Sequence, residues 1–259
     1  MAEVNESSAK PANGVLTTPV CGKPRPVSGQ FKERHRQTMT VELIPVIEIG
    51  YNNQEIPAPD KYPYWKYPEL WDKYNSDSYK RAGLADDLKP YLAGSSFYRL
   101  SEITDNNLKK LITDHTQDLT DGKYEREQAG ALFGGYVLRI NGQDKYFPQC
   151  CGDLADIQYW ERLSNGQNSY YEGHPAPQTK FEDNNVIFNF SVGKYDEHFQ
   201  PTPTEIILSI DRLELKSAVE KAKTDLYEFQ KRLNKINIGN ELNIDNIGRL
   251  LIWDNANYE

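Results

Sequence analysis

Cysteine is scarce in this sequence, with three residues in 259. They are Cys21, Cys150 and Cys151, too few for the disulfide framework of a small secreted protein. No apolar run approaches the ~18–20 residues that cross a bilayer, and residues 1–30 lack the apolar core of a signal peptide. We therefore expect a cytoplasmic protein with no membrane partner.

Apolar side chains are also few, at 38% of the chain. Because Tyr and Gly both number 17, counting Gly in place of Tyr leaves this share unchanged and below the ~45–50% usual for soluble domains. Aromatic residues nevertheless make up 12%, too many for a disordered chain. A folded protein with an unusually aromatic composition is indicated.

The formal net charge is −8, which argues against a general nucleic-acid binder, since phosphate neutralisation needs a basic surface. Residues 1–38 carry six basic and three acidic side chains, whereas the remaining chain carries 24 and 35. We predict a disordered basic tail over residues 1–38 and a single acidic domain over residues 39–259. Nucleic acid is not an expected partner, except through the tail, and a protein partner could be basic.

Period-two patterns predict several strands. Residues 40–49 alternate, but Pro45 cannot donate to a ladder, so an edge or bulged strand is expected there. The dipeptide Asn141-Gly142 supplies two positive-φ residues, which predicts a hairpin over about 135–148. Further strands are expected at 185–192 and 204–210.

Helices are predicted from caps and from the 3.6-residue period. Pro68 suits the first position of a helix running to about Arg81, with Gly83 after its end. Other helices are expected at 84–92, after Thr104, after Asp153 with a stop at Asn165-Gly166, and from about Arg212 to Ile236.

The last of these helices carries apolar residues spaced alternately by four and three. They are Leu215, Val219, Ala222, Leu226, Phe229, Leu233 and Ile236. Packing on the protein's own sheet is preferred over a coiled-coil dimer, because three heptads are few, and the oligomeric state stays open. With IGRLLIW as a final strand, the chain is predicted to be α+β, with a mostly antiparallel sheet, helices on one face and a long amphipathic C-terminal helix.

Cys150 and Cys151 come just before a predicted helix N-terminus, where free amides and the helix dipole lower a thiol pKa. A nucleophilic cysteine also needs a base, and His115, His174 and His198 are the candidates. The loop residue His174 is preferred. The alternative is structural, with one cysteine in the core and the other in a tight turn.

Signatures of known enzymes are missing. The sequence contains no HExxH, Walker loop, GxGxxG, EF-hand loop or GxSxG. Asp196, Glu197 and His198 are adjacent and point in different directions, so they make a poor metal triad. We therefore expect no metal or cofactor, and a non-enzyme is favoured.

An aromatic segment, residues 62–79, is interrupted by prolines. Its candidate binding residues are Tyr62, Tyr64, Trp65, Tyr67, Trp71 and Tyr74, although a helix here would turn Leu70, Trp71 and Tyr74 towards the core. Tyr and Trp offer rigid contact area and are common in interfaces. The alternative is a loop that covers the domain's own core.

Three functions are compatible with these patterns. The first is a cytosolic acidic interaction protein that binds, and could inhibit, a macromolecular partner, comparable in physical character only to a bacterial immunity protein. The second is a cysteine-dependent hydrolase or transferase using Cys150 or Cys151 with His174. The third is a carbohydrate or peptide binder that uses the aromatic segment.

Overall fold

The structure is a computed structural model that describes residues 39–171, 173–191 and 197–253. These residues belong to one compact unit. The predicted tail, residues 1–38, lies outside the described residues, and its disorder stays a prediction.

A four-stranded antiparallel sheet forms the centre of the fold, in the order β2-β1-β3-β4. Its strands are β1 (Val41–Glu48), β2 (Phe97–Arg99), β3 (Gly134–Ile140) and β4 (Gln143–Tyr146). Asn141 and Gly142 join β3 to β4 with φ angles of 49° and 77°. The predicted hairpin is therefore confirmed, with the left-handed turn that these two residue types favour.

The prediction that residues 40–49 form an edge or bulged strand is wrong, because β1 pairs in regular register with β2 on one side and β3 on the other. The short strand β2 explains how the sheet tolerates Pro45. Pairing with β2 stops at Val46, so β1 has no strand neighbour on that side at the level of the proline. A missing N–H therefore breaks no ladder bond there.

A second antiparallel sheet has the order β5-β6-β7. Its strands are β5 (Gln178–Glu182), β6 (Asn185–Asn189) and β7 (Ile207–Asp211). The strands predicted at 185–192 and 204–210 correspond to β6 and β7, although Val192 lies outside the described residues. Val186 and Phe188 of β6 are fully buried, as the period-two pattern requires.

Five α-helices complete the fold. They are α1 (Pro68–Ala82), α2 (Asp105–Thr120), α3 (Ile157–Ser164), α4 (Arg212–Gly239) and α5 (Ile247–Leu251). Gly83 ends α1 with a φ of 93°, and the Thr104 hydroxyl accepts a hydrogen bond from the amide of Asn107 at the start of α2. None of the helices in the described ranges is both long and apolar enough to cross a bilayer.

Two predicted elements are wrong. Residues 84–92 contain no helix, since Pro90 can continue neither the hydrogen bonding nor the backbone of a helix. The segment predicted as a final strand forms α5, where Ile247, Leu250 and Leu251 are buried. Their spacing of three and four residues is helical rather than alternating.

The long helix α4 packs on β1 and α3, and all seven residues of its apolar seam are buried. They join α2, α3 and one face of the four-stranded sheet in the main core. Residues Ile44, Val46 and Val137 form a smaller cluster on the opposite face, with the loop residues Tyr91 and Leu92 against them. The protein is therefore α+β, with its helices on one face of an antiparallel sheet.

Candidate functional site

Cys151, His174 and Glu197 lie in a row, although 23 residues separate each from the next. The Sγ atom of Cys151 is 3.5 Å from Nε2 of His174. Nδ1 of His174 is 3.2 Å from Oε2 of Glu197. A thiol, an imidazole and a carboxylate linked in this order can move a proton away from sulfur, which is how nucleophilic cysteines are activated.

The backbone holds the thiol and the imidazole together. The amide of His174 donates to the carbonyl of Cys150 at 3.0 Å, and these two residues form an isolated antiparallel bridge. Cys151 has a φ of 67°, a left-handed conformation that is uncommon for a residue with a side chain. Backbone strain of this kind is often found at functional sites.

Gly152 lets this turn pack closely against the central sheet. Its amide donates to the carbonyl of Gln149, and its carbonyl accepts from the amide of Gly134. A Cβ on Gly152 would lie 2.9 Å from both the Gly134 carbonyl oxygen and the Tyr171 hydroxyl. A glycine is therefore required directly after Cys151.

Gln149 connects the cysteine turn to the segment that carries Glu197. Its Oε1 accepts from the amide of Gln200 at 2.9 Å, and its Nε2 donates to the carbonyls of Phe147 and Gln200. The side chain is buried, where amide hydrogen bonds are costly to break. We call this set of contacts the Gln149 clasp.

The expected lowering of the thiol pKa is wrong for Cys150. A hydrogen bond with Cys151 raises the pKa of the Cys150 thiol, and burial and the carboxylates of Glu48 and Glu197 add to the effect. The helix N-terminus nearby does little to stabilise a thiolate, because the side chains of Asp153 and Asp156 cap it. Their carboxylates already satisfy the amides that the sequence analysis assigned to a thiolate.

The expectation that one cysteine packs in the core is also wrong, since both are exposed and both are free thiols. Their Sγ atoms are 3.6 Å apart. The two thiols and the imidazole of His174 present three ligand atoms within 4.8 Å of one another. They are the one group of at least three potential ligands found in the described part of the chain.

The site opens into a cleft of about 530 Å³, lined in part by Glu48, Tyr64, His174, Glu197 and His198. Glu48 is exposed to solvent, yet the surrounding protein desolvates its carboxylate enough to raise its pKa. A second cleft of about 740 Å³, with Tyr159 and Tyr170 in its wall, shares His174 and Glu197 with the first. The imidazole of His174 therefore contributes to the walls of both clefts.

The aromatic segment is part surface and part core. Tyr74 is buried, and the indole of Trp71 donates to the carbonyl of Lys61. Tyr62 and Tyr67 are 54% and 38% exposed. Trp65 is half-buried and contacts Tyr62 and Tyr64 edge to face.

This segment also adjoins the cleft. Tyr64 lines it, and the Tyr62 hydroxyl donates to the side-chain carbonyl of Gln200. The prediction that Leu70 faces the core is wrong, because this residue is 43% exposed.

Of the histidines proposed as bases, the structure brings His174 to the cysteines. His115 lies against the carbonyl of Gly130 and the ring of Phe133, and His198 lies at the cleft wall. Sequence reasoning missed the role of Glu197, which it considered only as a metal ligand beside His198. No local spacing could have revealed this role, since the partner of Glu197 is 23 residues away.

Comparison with known proteins adds no relative: no family model matches the chain, and neither a curated protein nor a solved structure is significantly similar to it. The functional argument therefore depends on the geometry of the site.

Proposed function

We propose that the protein is a cysteine-dependent hydrolase or acyl transferase, with Cys151 as the nucleophile. The observation that carries this proposal is the row of Cys151, His174 and Glu197, with separations of 3.5 and 3.2 Å. His174 is the general base, and Glu197 orients it. The left-handed backbone of Cys151 agrees with this assignment, and its partners His174 and Glu197 line the adjoining cleft together with Cys150.

The carboxylate of Glu197 selects the useful tautomer of His174. Accepting a hydrogen bond from Nδ1–H leaves the lone pair of Nε2 directed at the Cys151 thiol. Nε2 takes the thiol proton as Sγ attacks the carbonyl carbon of an acyl substrate. The resulting imidazolium then protonates the leaving group, and water or a second acceptor cleaves the thioester.

Cys150 has a different role in this scheme. Its raised pKa opposes ionisation of its own thiol, so its S–H can donate across the 3.6 Å gap to the Cys151 sulfur as that sulfur gains negative charge in the reaction. Reduced thiols are needed throughout, which agrees with action in the cytoplasm.

Thiol reactivity tests the proposal directly. In a Cys21→Ser background, peptide-resolved mass spectrometry would follow iodoacetamide labelling at pH 7, and p-nitrophenyl acetate would report acyl transfer. We expect Cys151 to label first, and His174→Ala to slow both reactions by roughly 10²-fold or more. Glu197→Gln should slow them less, because it removes the orienting group and keeps the base.

His115→Ala is the matched control, since it removes a histidine that lies away from the thiols. It should leave both rates unchanged. Equal, slow labelling of Cys150 and Cys151 that is insensitive to His174→Ala would contradict the nucleophile assignment.

A second candidate function is binding of a protein partner, one that could be basic. The observation favouring it is the exposure of Tyr62, Tyr67 and Leu70 on adjoining parts of the aromatic segment, together with the net charge of −8. Complementary charge would speed such an encounter and make it sensitive to salt. This segment could equally offer its rings to a carbohydrate or peptide.

Affinity purification at low and high salt tests this second candidate. The double variant Tyr67→Ala/Leu70→Ala should lose the partner, whereas Leu213→Ala, which removes a side chain 74% exposed on α4, should retain it. Recovery of the same partner by both variants, independent of salt, would count against this function.

A further inference from the structure

We infer that Cys150, Cys151 and His174 form a binding site for a thiophilic divalent cation of the zinc class. Two thiolates and one imidazole are the donors that Zn²⁺ prefers. These residues have no metal-ligand spacing in the sequence, because His174 is 23 residues from Cys151 and only the fold brings them together. The inference does not require Cys151 to be a nucleophile.

The separations of the donor atoms fit a tetrahedral ion. Zinc–sulfur bonds of ≈2.3 Å and zinc–nitrogen bonds of ≈2.0–2.1 Å place two sulfur ligands ~3.8 Å apart and a sulfur and a nitrogen ligand ~3.5 Å apart. The observed Sγ–Sγ distance is 3.6 Å, and the Cys151 Sγ to His174 Nε2 distance is 3.5 Å. The third pair lies within 4.8 Å, which a small rotation of the exposed Cys150 side chain can shorten.

Glu197 provides the hydrogen-bond acceptor that the second ring nitrogen of a zinc-bound histidine usually has. Its carboxylate lies on Nδ1 of His174, which fixes the tautomer and leaves Nε2 for the metal. Both thiols would release their protons to solvent as the ion binds. The two thiolates then neutralise the charge of the cation, and the carboxylates of Glu48 and Glu197 face the same cleft.

Three protein ligands leave a fourth position for water or another group from the cleft. Zinc sites with three protein ligands are open in this way, whereas structural sites usually have four. A bound ion would engage the Cys151 sulfur and the Nε2 lone pair of His174 together. The metal-loaded protein should therefore resist alkylation of its thiols.

The test is a cobalt titration of the full chain in the Cys21→Ser background, reduced and freed of metal with a chelator. Co²⁺ reports its own ligands through thiolate-to-cobalt charge-transfer absorption, and Zn²⁺ then displaces it. We expect one ion per chain and the release of about two protons per ion. One equivalent of Zn²⁺ should protect both thiols from iodoacetamide.

Variants identify the ligands. Cys150→Ser should halve the charge-transfer intensity and weaken binding by more than about 100-fold, and Glu197→Gln should weaken it by about 10–100-fold. His115→Ala, which removes a histidine that contacts Gly130 and Phe133 outside the cleft, is the matched control and should change neither quantity. Absence of charge transfer, or an unchanged spectrum in Cys150→Ser, would overturn the inference.

The two proposals fail separately. If cobalt binds but His174→Ala leaves the rate of thiol labelling in the metal-free protein unchanged, the ion site is supported and the assignment of Cys151 as nucleophile is contradicted. If Cys151 is labelled rapidly but cobalt gives no charge-transfer absorption, the nucleophile assignment is supported and the ion site is contradicted.

Discussion

The position of Cys150 before a helix N-terminus suggests a lowered thiol pKa, but the pKa of this thiol is raised. The hydrogen bond to Cys151 contributes most to its raised pKa, followed by burial and by the carboxylates of Glu48 and Glu197. An acidic cleft therefore opposes ionisation of this thiol. The contribution of the two carboxylates is electrostatic, so the Cys150 pKa should respond to the charge of either one.

At the residue scale, Glu48→Gln should lower the pKa of Cys150. The substitution removes a negative charge that disfavours the thiolate, so Cys150 should be alkylated faster at any pH below its present pKa. Peptide-resolved iodoacetamide labelling between pH 6 and 10 measures the shift. Glu42→Gln, on the same strand β1, is the control, and an identical Cys150 profile in all three proteins would refute this account.

At the scale of elements, the seam of α4 is where sequence reasoning succeeded most clearly. A sustained apolar spacing of three and four residues specifies a helix and its buried face together, because both follow from the helical period. The turn residues Asn141 and Gly142 were equally informative, since few residues adopt positive φ. These signals are local, and each lies within one element.

The elements that were missed depend on their surroundings. Nothing in residues 97–99 distinguishes the three-residue strand β2 from a loop until β1 lies beside it. The position of β1 in the middle of the sheet likewise follows from where β2 ends, which the proline alone could not reveal. The short helix α5 was misread because four apolar residues follow one another at 250–253, and short apolar runs are ambiguous between strand and helix.

The burial of the α4 seam leads to a prediction about stability. Leu226 is fully buried between α4 and the core, so Leu226→Ala should lower the free energy of unfolding by about 2–5 kcal/mol. Leu213→Ala truncates the same side chain at a site that is 74% exposed and should change it by less than about 0.5 kcal/mol. Urea denaturation followed by circular dichroism compares the two, and equal losses would show that the seam contributes little.

At the scale of the whole molecule, the many buried tyrosines make the stability of the fold depend on pH in the alkaline range. Burial raises the pKa of many tyrosines, that of Tyr98 to about 12. The others with strongly raised values are Tyr51, Tyr64, Tyr79, Tyr91, Tyr146, Tyr159 and Tyr171. In the unfolded chain these phenols ionise near pH 10.

Ionisation of these tyrosines should therefore not change the free energy of unfolding below about pH 10, and the free energy of unfolding should fall steeply above that pH. The unfolded state loses phenolic protons first, so rising pH favours unfolding. Thermal melts from pH 8 to 11.5, with phenolate absorbance recorded in parallel, test this expectation. A melting temperature that stays constant across that range, or phenolate formation well before unfolding, would contradict it.

The candidate site was only partly predictable from the sequence. Cys150, Cys151 and His174 were singled out by residue type, but their proximity depends on a bridge between two loops, and loop geometry has no periodic signal. Glu197 was missed as an orienting group for the same reason. The expected lowering of the Cys150 pKa failed because its contact with Cys151 and the nearby carboxylates of Glu48 and Glu197 depend on the folded turn and cleft.

The Gln149 clasp has a consequence for how this site opens. Cys151, His174 and Glu197 all lie between Gln149 and Gln200 in the sequence. The buried side-chain amide of Gln149 therefore joins the two ends of the segment that contains the whole site. Opening of the Gln149–Gln200 hydrogen bonds would free the segment that carries Glu197 from the cysteine turn, while the central sheet stays paired. The amide hydrogen of Gln200 should then exchange with solvent in proportion to the open fraction of the site, and a group that joins Cys151 to His174 should slow that exchange.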